Sequence, residues 1–180
     1  LFLHSMTDLL DFVDWKESCC LNQDDEHTIE NAMSLKSRED ATKYLQSDAD
    51  EQLIVNIRFT NSVKLQAVQI SGPEDSGAAK IKIFTNPGNP LDFDQCEEEK
   101  ANFEACVSKE QLKAGSSINT EIFGKIYSLT LFIGSNQEET EQTVVSRLVF
   151  IGTVELQEGV KRSLEQQKAA AQADWLNPSR

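Results

Sequence analysis

Residues 47–59 read Ser-Asp-Ala-Asp-Glu-Gln-Leu-Ile-Val-Asn-Ile-Arg-Phe and contain the clearest β-strand pattern in the chain. Apolar residues recur at every second position, and they are Leu53, Val55, Ile57 and Phe59. The opposite face is polar except for Ile54. Because side chains alternate between the two faces of a strand, this pattern predicts a core strand with its other face largely in water. The acidic residues before the strand are predicted to form a loop, the kind of segment that often carries binding residues.

Further strand patterns follow along the chain, separated by Gly, Pro and Asn turns. They are residues 63–71, 80–86, 116–123, 126–134 and 143–152. Residues 60–62 predict a tight polar turn, and the phase shift at Val68 and Ile70 predicts a bulge or burial of both faces. Short strands without intervening amphipathic helices are typical of two packed antiparallel sheets.

The remaining segments have weaker patterns. Residues 9–15 predict a short turn or strand against the core, and residues 29–44 predict an irregular connection with one helical turn. Residues 89–113 show little pattern beyond a capped turn at residues 108–111. Residues 156–173 have high helix propensity but few apolar residues, so we expect a frayed helix or disorder there.

The composition limits the classes of partner. The chain has 180 residues, which predicts one domain, and its formal net charge at pH 7 is −13. Nucleic acids and anionic membranes attract clustered Lys and Arg, so this charge argues against both. It favours protein partners with basic patches, although a merely well-solvated surface would have the same composition. No apolar run approaches the ~20 residues that span a bilayer.

The motifs of common enzyme classes are missing from the sequence. There is no Gly-rich phosphate loop, no GxSxG and no HExxH, and His27 lies in a polar loop where it is predicted to be a surface residue. The cysteines lack CxxC spacing and are predicted to be reduced thiols; they are Cys19, Cys20, Cys96 and Cys106. We therefore expect no catalytic residue, no cofactor and no metal ion. A redox role for the adjacent Cys19 and Cys20 is a weaker hypothesis.

The acidic cluster formed by Asp48, Asp50 and Glu51 has three interpretations. Its oxygen ligands suit calcium, but the glycine turn and distal Glu of a calcium loop are missing. Alternatively, Ser47 or Asp48 caps a turn and the other acids face water. The third interpretation is contact with a protein partner. The residues alone leave the structural turn and the binding edge open.

The two tryptophans have different surroundings in the sequence. Trp15 lies in an apolar cluster and is predicted to belong to the core. Trp175 lies in the polar C-terminal segment, followed by Leu-Asn-Pro. An exposed aromatic residue of this kind can anchor a partner, and otherwise it would belong to a loosely packed end.

Several short segments carry a family resemblance. They are Asp-Leu-Leu-Asp-Phe at 8–12, Cys-Leu-Asn at 20–22, Ser-Asp-Ala-Asp-Glu-Gln-Leu at 47–53, Val-Lys-Leu at 63–65, Ser-Gly-Pro at 71–73, Ser-Leu-Thr-Leu-Phe-Ile at 128–133 and Phe-Ile-Gly-Thr at 150–153. In this order they resemble the PITH domain, the proteasome-interacting domain of thioredoxin-like proteins and of stand-alone PITH proteins. The acidic segment with its strand is the most specific part of the resemblance.

The resemblance implies a jelly-roll β-sandwich over residues 8–153. Residues 1–7 are expected to be disordered or a cloning remnant, and residues 154–180 to form a partly helical or disordered tail. The implied function is a non-catalytic interaction module that associates with the 26S proteasome regulatory particle. Any thiol–disulfide activity would need an upstream thioredoxin domain, and this chain would then be the C-terminal half of a thioredoxin-like protein.

We expect a monomer in the cytoplasm, with the nucleus as a second compartment, and no nucleic-acid or membrane partner. The partner-contact candidates are Asp48, Asp50, Glu51, Asn22 and Trp175. The alternative function is binding of a small, carbohydrate-like ligand by loops at one end of the jelly roll, which is an analogy from the fold alone.

Overall fold

A computed structural model describes residues 6–122, 124–155 and 166, and these residues form ten strands, two α-helices and one 3-10 helix. The strands are β1 (Thr7–Asp8), β2 (Cys19–Leu21), β3 (Leu45–Gln46), β4 (Leu53–Ser71), β5 (Ala78–Thr85), β6 (Phe103–Cys106), β7 (Ile118–Asn119), β8 (Ile126–Asn136), β9 (Val144–Val145) and β10 (Arg147–Val154). The helices are the 3-10 helix (Leu10–Phe12), α1 (Ile29–Met33) and α2 (Phe93–Glu98). Among the described residues, no helix has the length and apolarity needed to cross a membrane.

Strand β4 is shared by the two layers of the fold. It is a single strand of 19 residues, so the predicted turn at residues 60–62 is wrong. Its first half pairs with β2 and β8, and its second half pairs with β10 and β7. The pairing with β8 is interrupted between Arg58 and Val63, where the strand passes from one set of partners to the other. The chain stays extended there because Phe59 and Ser62 find other partners, Val13 and Glu155.

The pairings form an antiparallel sandwich, as predicted. One layer has the order β2-β4-β8-β5-β6, and the other has the order β7-β4-β10-β1. A separate short pair joins β3 to β9. The inner face of β4 is buried at Leu53, Val55, Ile57 and Phe59, which confirms the period-two prediction. Burial of each such side chain contributes roughly 1.5–3 kcal/mol to folding.

The outer face of the first layer has its own small core. Ile54, the single apolar residue predicted on that face, is fully buried there with Phe84, Cys96 and Phe132. Helix α2 contributes Cys96 to this small core and packs over the other three side chains. It begins with a capping box between Asp92 and Gln95, and Lys82 donates hydrogen bonds to carbonyl groups at its C-terminal end. Strand β6 follows α2, so residues 89–113 contain a strand that the sequence pattern did not indicate.

A bulge explains the predicted phase shift in β4. Ala67 pairs with Ile151 and Leu65 pairs with Gly152, which leaves Gln66 as the extra residue. Both Ala67 and Val68 are buried beyond this point. A bulge combined with burial on both faces therefore accounts for the pattern.

Candidate protein-contact surface

Asn22 closes the acidic loop that precedes β4. It follows the last residue of β2 in the left-handed conformation, with φ of 62°. Its Nδ2 donates to Oδ1 of Asp50 (2.8 Å) and to the carbonyl of Gln52 (2.7 Å), and its Oδ1 accepts from the backbone N–H of Ala49 (3.0 Å). The structure therefore brings together two of the predicted contact residues, Asn22 and Asp50.

The other side of the loop is fixed by Thr143. The Oγ of the buried Ser47 accepts a hydrogen bond from the Thr143 N–H (2.9 Å), and Thr143 Oγ1 donates to the carbonyl of Glu51 (2.6 Å). Ser47 is therefore an anchor to a distant segment rather than a cap. The turn itself is capped by Asp50, whose Oδ1 accepts from the N–H of Gln52 (3.0 Å). Because the backbone is held on both sides, the loop is a rigid feature of the surface.

The carboxylates around this loop form the acidic end of the molecule. We define the acidic end as residues 24–26, 48–51, 97 and 141, of which all but Ala49 have acidic side chains. Gln52 donates a hydrogen bond to Glu97 of α2, and Gln142, next to Glu141, donates to the carbonyl of Asp48. Residues 24–26 lie next to the acidic loop because Gln23 and Ser47 form a β-bridge. Asp48 and Asp50 are exposed, and Glu51 is half-buried.

The hydrogen bond from His27 lowers the pKa of Asp24 below its ordinary value. Nδ1 of His27 lies 2.8 Å from Oδ1 of Asp24, and the ring stacks on Tyr44 with centroids 4.2 Å apart. His27 is therefore half-buried and structural rather than a free surface residue. Among the described side chains, no group of three His, Cys, Asp or Glu residues is placed to hold a metal ion.

The two tryptophans differ in what the structure describes of them. Trp175 lies outside the described residues. Trp15 was predicted to be a core residue, and this is wrong, because 37% of its surface is exposed. The apolar cluster instead buries Leu9 and Val13, since the 3-10 helix between them turns the chain and leaves Trp15 at its outer edge.

All four cysteines are unpaired. Burial, with a smaller effect from Cys19, raises the pKa of the Cys20 thiol to about 12. Burial, followed by the nearby Asp92, raises the pKa of Cys96 to about 11. A thiolate is the reactive form of cysteine, so these shifts make Cys20 and Cys96 poor nucleophiles. The arrangement offers no support for redox chemistry at the adjacent pair.

A groove on the outer face of the first layer has a volume of about 580 Å³. Asn56 and Arg58 of β4 and Thr130 of β8 line it, with Thr130 Oγ1 donating to Oδ1 of Asn56 (2.7 Å). The alternative of carbohydrate binding predicts an exposed aromatic ring in such a groove. The aromatic residue lining this one is Phe59, which is buried, so the groove has no exposed ring.

Comparison with known proteins identifies the family. The model of the PITH domain matches residues 3–170. The chain belongs to the PITH-domain family. It is 30% identical over 139 residues to thioredoxin-like protein 1 of Schizosaccharomyces pombe, a match that covers 74% of this chain and 47% of that protein. It is 30% identical over 128 residues to human PITH domain-containing protein 1, covering 69% of this chain and 59% of the relative. The chain thus spans about half to three-fifths of these relatives.

Solved structures confirm the jelly-roll architecture. The family 32 CBM from C. perfringens NanJ, solved in complex with galactose, has a TM-score of 0.58 and 7% identity, covering 82% of this chain and 99% of that one. CBM32-3 from a family 31 glycoside hydrolase of Clostridium perfringens has a TM-score of 0.51 and 15% identity, covering 79% and 96%. At such low identity the likeness shows the fold alone.

Some members of this surface have no signal in the sequence. Thr143, Gln142 and Glu97 meet the acidic loop from positions that are 45 to 96 residues away along the chain. The pattern of residues 47–59 indicated the loop and Asp50. The residues that hold the loop from other segments could be found only by knowing which segments are neighbours in the fold.

Proposed function

We propose that this PITH domain is a non-catalytic interaction module that associates with the proteasome regulatory particle through its acidic end. The resemblance to the PITH domain supports the proteasome as the partner. The match of the PITH family model to residues 3–170 supports that resemblance. The observation that carries the choice of surface is the loop closed by Asn22, which holds Asp48 and Asp50 exposed on a fixed backbone. A rigid acidic surface loses little conformational entropy when Lys and Arg residues of a partner bind to it.

In a longer protein of the thioredoxin-like kind, the domain would supply docking while another domain supplied thiol chemistry. The relative in Schizosaccharomyces pombe, of which the match covers 47%, is named as thioredoxin-like. We propose in addition that the protein is located in the cytoplasm and nucleus, where proteasomes are found. We also propose that it is a monomer.

Binding to purified regulatory particle at physiological salt tests the proposal. The variant Asp48→Asn/Glu141→Gln removes two charges from the acidic end. Glu17→Gln/Glu121→Gln is the matched control, because it removes two exposed charges outside the acidic end that form no salt bridge among the described residues. We expect the first variant to bind about fivefold more weakly, since two peripheral ion contacts contribute about 1 kcal/mol together. The control variant should bind like the unaltered chain.

Two outcomes contradict different parts of the proposal. If the unaltered chain is not retained by the regulatory particle, the proteasome assignment is wrong. If the unaltered chain is retained but both variants bind equally, the partner is right and the acidic end is not the contact surface.

A further inference from the structure

A second groove, distinct from the acidic end, lies between the 3-10 helix and α1. It has a volume of about 570 Å³. Trp15 and Leu35 border it, and they are 37% and 61% exposed. Leu10, which is half-buried, and Val13, which is buried, lie deeper in the same groove. We call it the Trp15–Leu35 groove.

The local chain geometry leaves these two apolar side chains outside the core. Helix α1 has five residues and ends at Met33, and the chain then turns through residues 34–40. The turn is held by Arg38, which forms an ion pair with Asp8 of β1 (2.7 Å). Leu35 is thereby presented on a fixed turn. Adjacent exposed apolar residues of this kind mark binding sites, and Trp is enriched among residues that dominate binding energy.

The charges on the groove indicate the chemistry of its occupant. Asp11 and Glu30 lie on its rim, and Lys36 contributes one opposing charge. Within the part of the chain that the structure describes, neither Asp11 nor Glu30 forms a salt bridge. The chain as a whole carries a net charge of −13. The groove is therefore complementary to Lys and Arg flanking a bulky apolar side chain.

We propose that the Trp15–Leu35 groove binds a basic amphipathic segment of another protein. An aliphatic or aromatic side chain of that segment enters between Trp15 and Leu35, and its Lys or Arg residues pair with Asp11 and Glu30. A volume of about 570 Å³ is within the range of roughly 300–1,000 Å³ that is usual for ligand pockets. The inference is independent of the proteasome proposal, because it uses none of the residues of the acidic end.

A set of labelled helical peptides tests this inference by fluorescence anisotropy at physiological salt. The probe peptide has one face of Leu and one face of Lys. The first comparison peptide has Glu in place of Lys, and the second has Ser in place of Leu. We expect the Leu/Lys peptide to bind at least tenfold more tightly than either comparison peptide, because both the apolar insertion and the charge pairing are required.

Matched variants locate the site. Trp15→Ala/Leu35→Ala should weaken binding of the Leu/Lys peptide about tenfold or more. The control Leu21→Ala/Tyr127→Ala removes two other exposed apolar side chains, 39% and 49% exposed, and should leave binding unchanged. Unaltered urea midpoints would show that all the variants are folded.

Three results would overturn the inference. The first is equal binding of the Leu/Lys and Leu/Glu peptides, which would remove the charge argument. The second is binding that survives Trp15→Ala/Leu35→Ala but is lost in Asp48→Asn/Glu141→Gln, which would place the peptide at the acidic end. The third is a concentration-dependent dimer in analytical ultracentrifugation that the groove variant abolishes, because the occupant would then be a second copy of this chain.

Discussion

At the scale of single residues, Asn22 holds the proposed surface through several side-chain hydrogen bonds. Its amide group contacts the loop at Ala49, Asp50 and Gln52, so one side chain satisfies both polar side-chain and backbone groups. Asn also adopts the left-handed conformation more readily than most residues with a Cβ. Asparagine is therefore suited to this position for two reasons. Its amide group forms the hydrogen bonds to the loop, and its backbone tolerates a positive φ.

Replacement of Asn22 should separate these two requirements. Asn22→Ala removes the hydrogen bonds and places a Cβ residue at φ of 62°, so we expect a loss of about 2–4 kcal/mol in the free energy of unfolding. Asn22→Gly removes the hydrogen bonds alone and should cost about 1–2 kcal/mol less than Asn22→Ala. Urea unfolding measures both values.

The exposed Asn89 provides the control for these substitutions. Asn89→Ala should change the free energy of unfolding by no more than about 0.5 kcal/mol, as is usual for surface positions. An Asn22→Ala variant as stable as Asn89→Ala would show that the amide does not hold the loop.

At the scale of elements, the close approach of β4 and β10 depends on Gly152. A Cβ at this position would lie 2.1 Å from the carbonyl oxygen of Lys64, at the bulge around Gln66. The obstructing atom belongs to the backbone of a central strand, so it cannot move without displacing the sheet pairing. This contact gives a physical reason for glycine within the Phe-Ile-Gly-Thr segment of the family resemblance.

Gly152→Ala should therefore lower the free energy of unfolding by about 1–3 kcal/mol. Gly88→Ala is the matched control, because no atom lies within 4 Å of a Cβ built there. Thermal or urea unfolding of the two variants measures the difference. Equal stability of the two variants would mean that β4 and β10 can separate at the bulge without cost.

At the scale of the whole molecule, carboxylates whose pKa values are lowered contribute to the response to acid. Hydrogen bonds lower the pKa values of Asp24, Asp40 and Asp75, mainly through the side chains of His27, Thr42 and Ser76. The Lys125 side chain lowers the pKa of Glu155 in the same way. These four groups bind protons less tightly in the folded chain than in the unfolded chain. Their stabilising contribution is complete above the ordinary values of 3.8 and 4.5.

The free energy of unfolding should decrease as the pH falls through these lowered pKa values, because the unfolded chain then takes up more protons. In Asp40→Asn/Asp75→Asn, this decrease should be shallower, since two of the titrating groups are gone while Asn keeps an oxygen acceptor. Urea unfolding between pH 2 and pH 7 measures the slope. An identical acid slope in the double variant would contradict the role of these hydrogen bonds.

Local pattern was sufficient for much of the fold. The alternation from Leu53 to Phe59 predicts a strand with a buried face, and the apolar run in residues 126–134 predicts β8. The phase shift near Val68 indicates the bulge. These features depend on the period of side chains along one segment, which is a property of that segment alone.

Contacts between distant segments could not be read from any local pattern. Asn22 and Asp50 are 28 residues apart, and Ser47 and Thr143 are 96 residues apart. Trp15 is exposed and Ile54 is buried because of what packs beside them, a short helical turn in one case and α2 in the other. The sequence pattern indicated most of the long strands and the family, whereas sheet register and layer packing determined which polar groups meet. The reason is that a hydrogen bond across a sheet depends on how two strands are placed relative to each other. A periodic pattern along one segment carries no information about that placement.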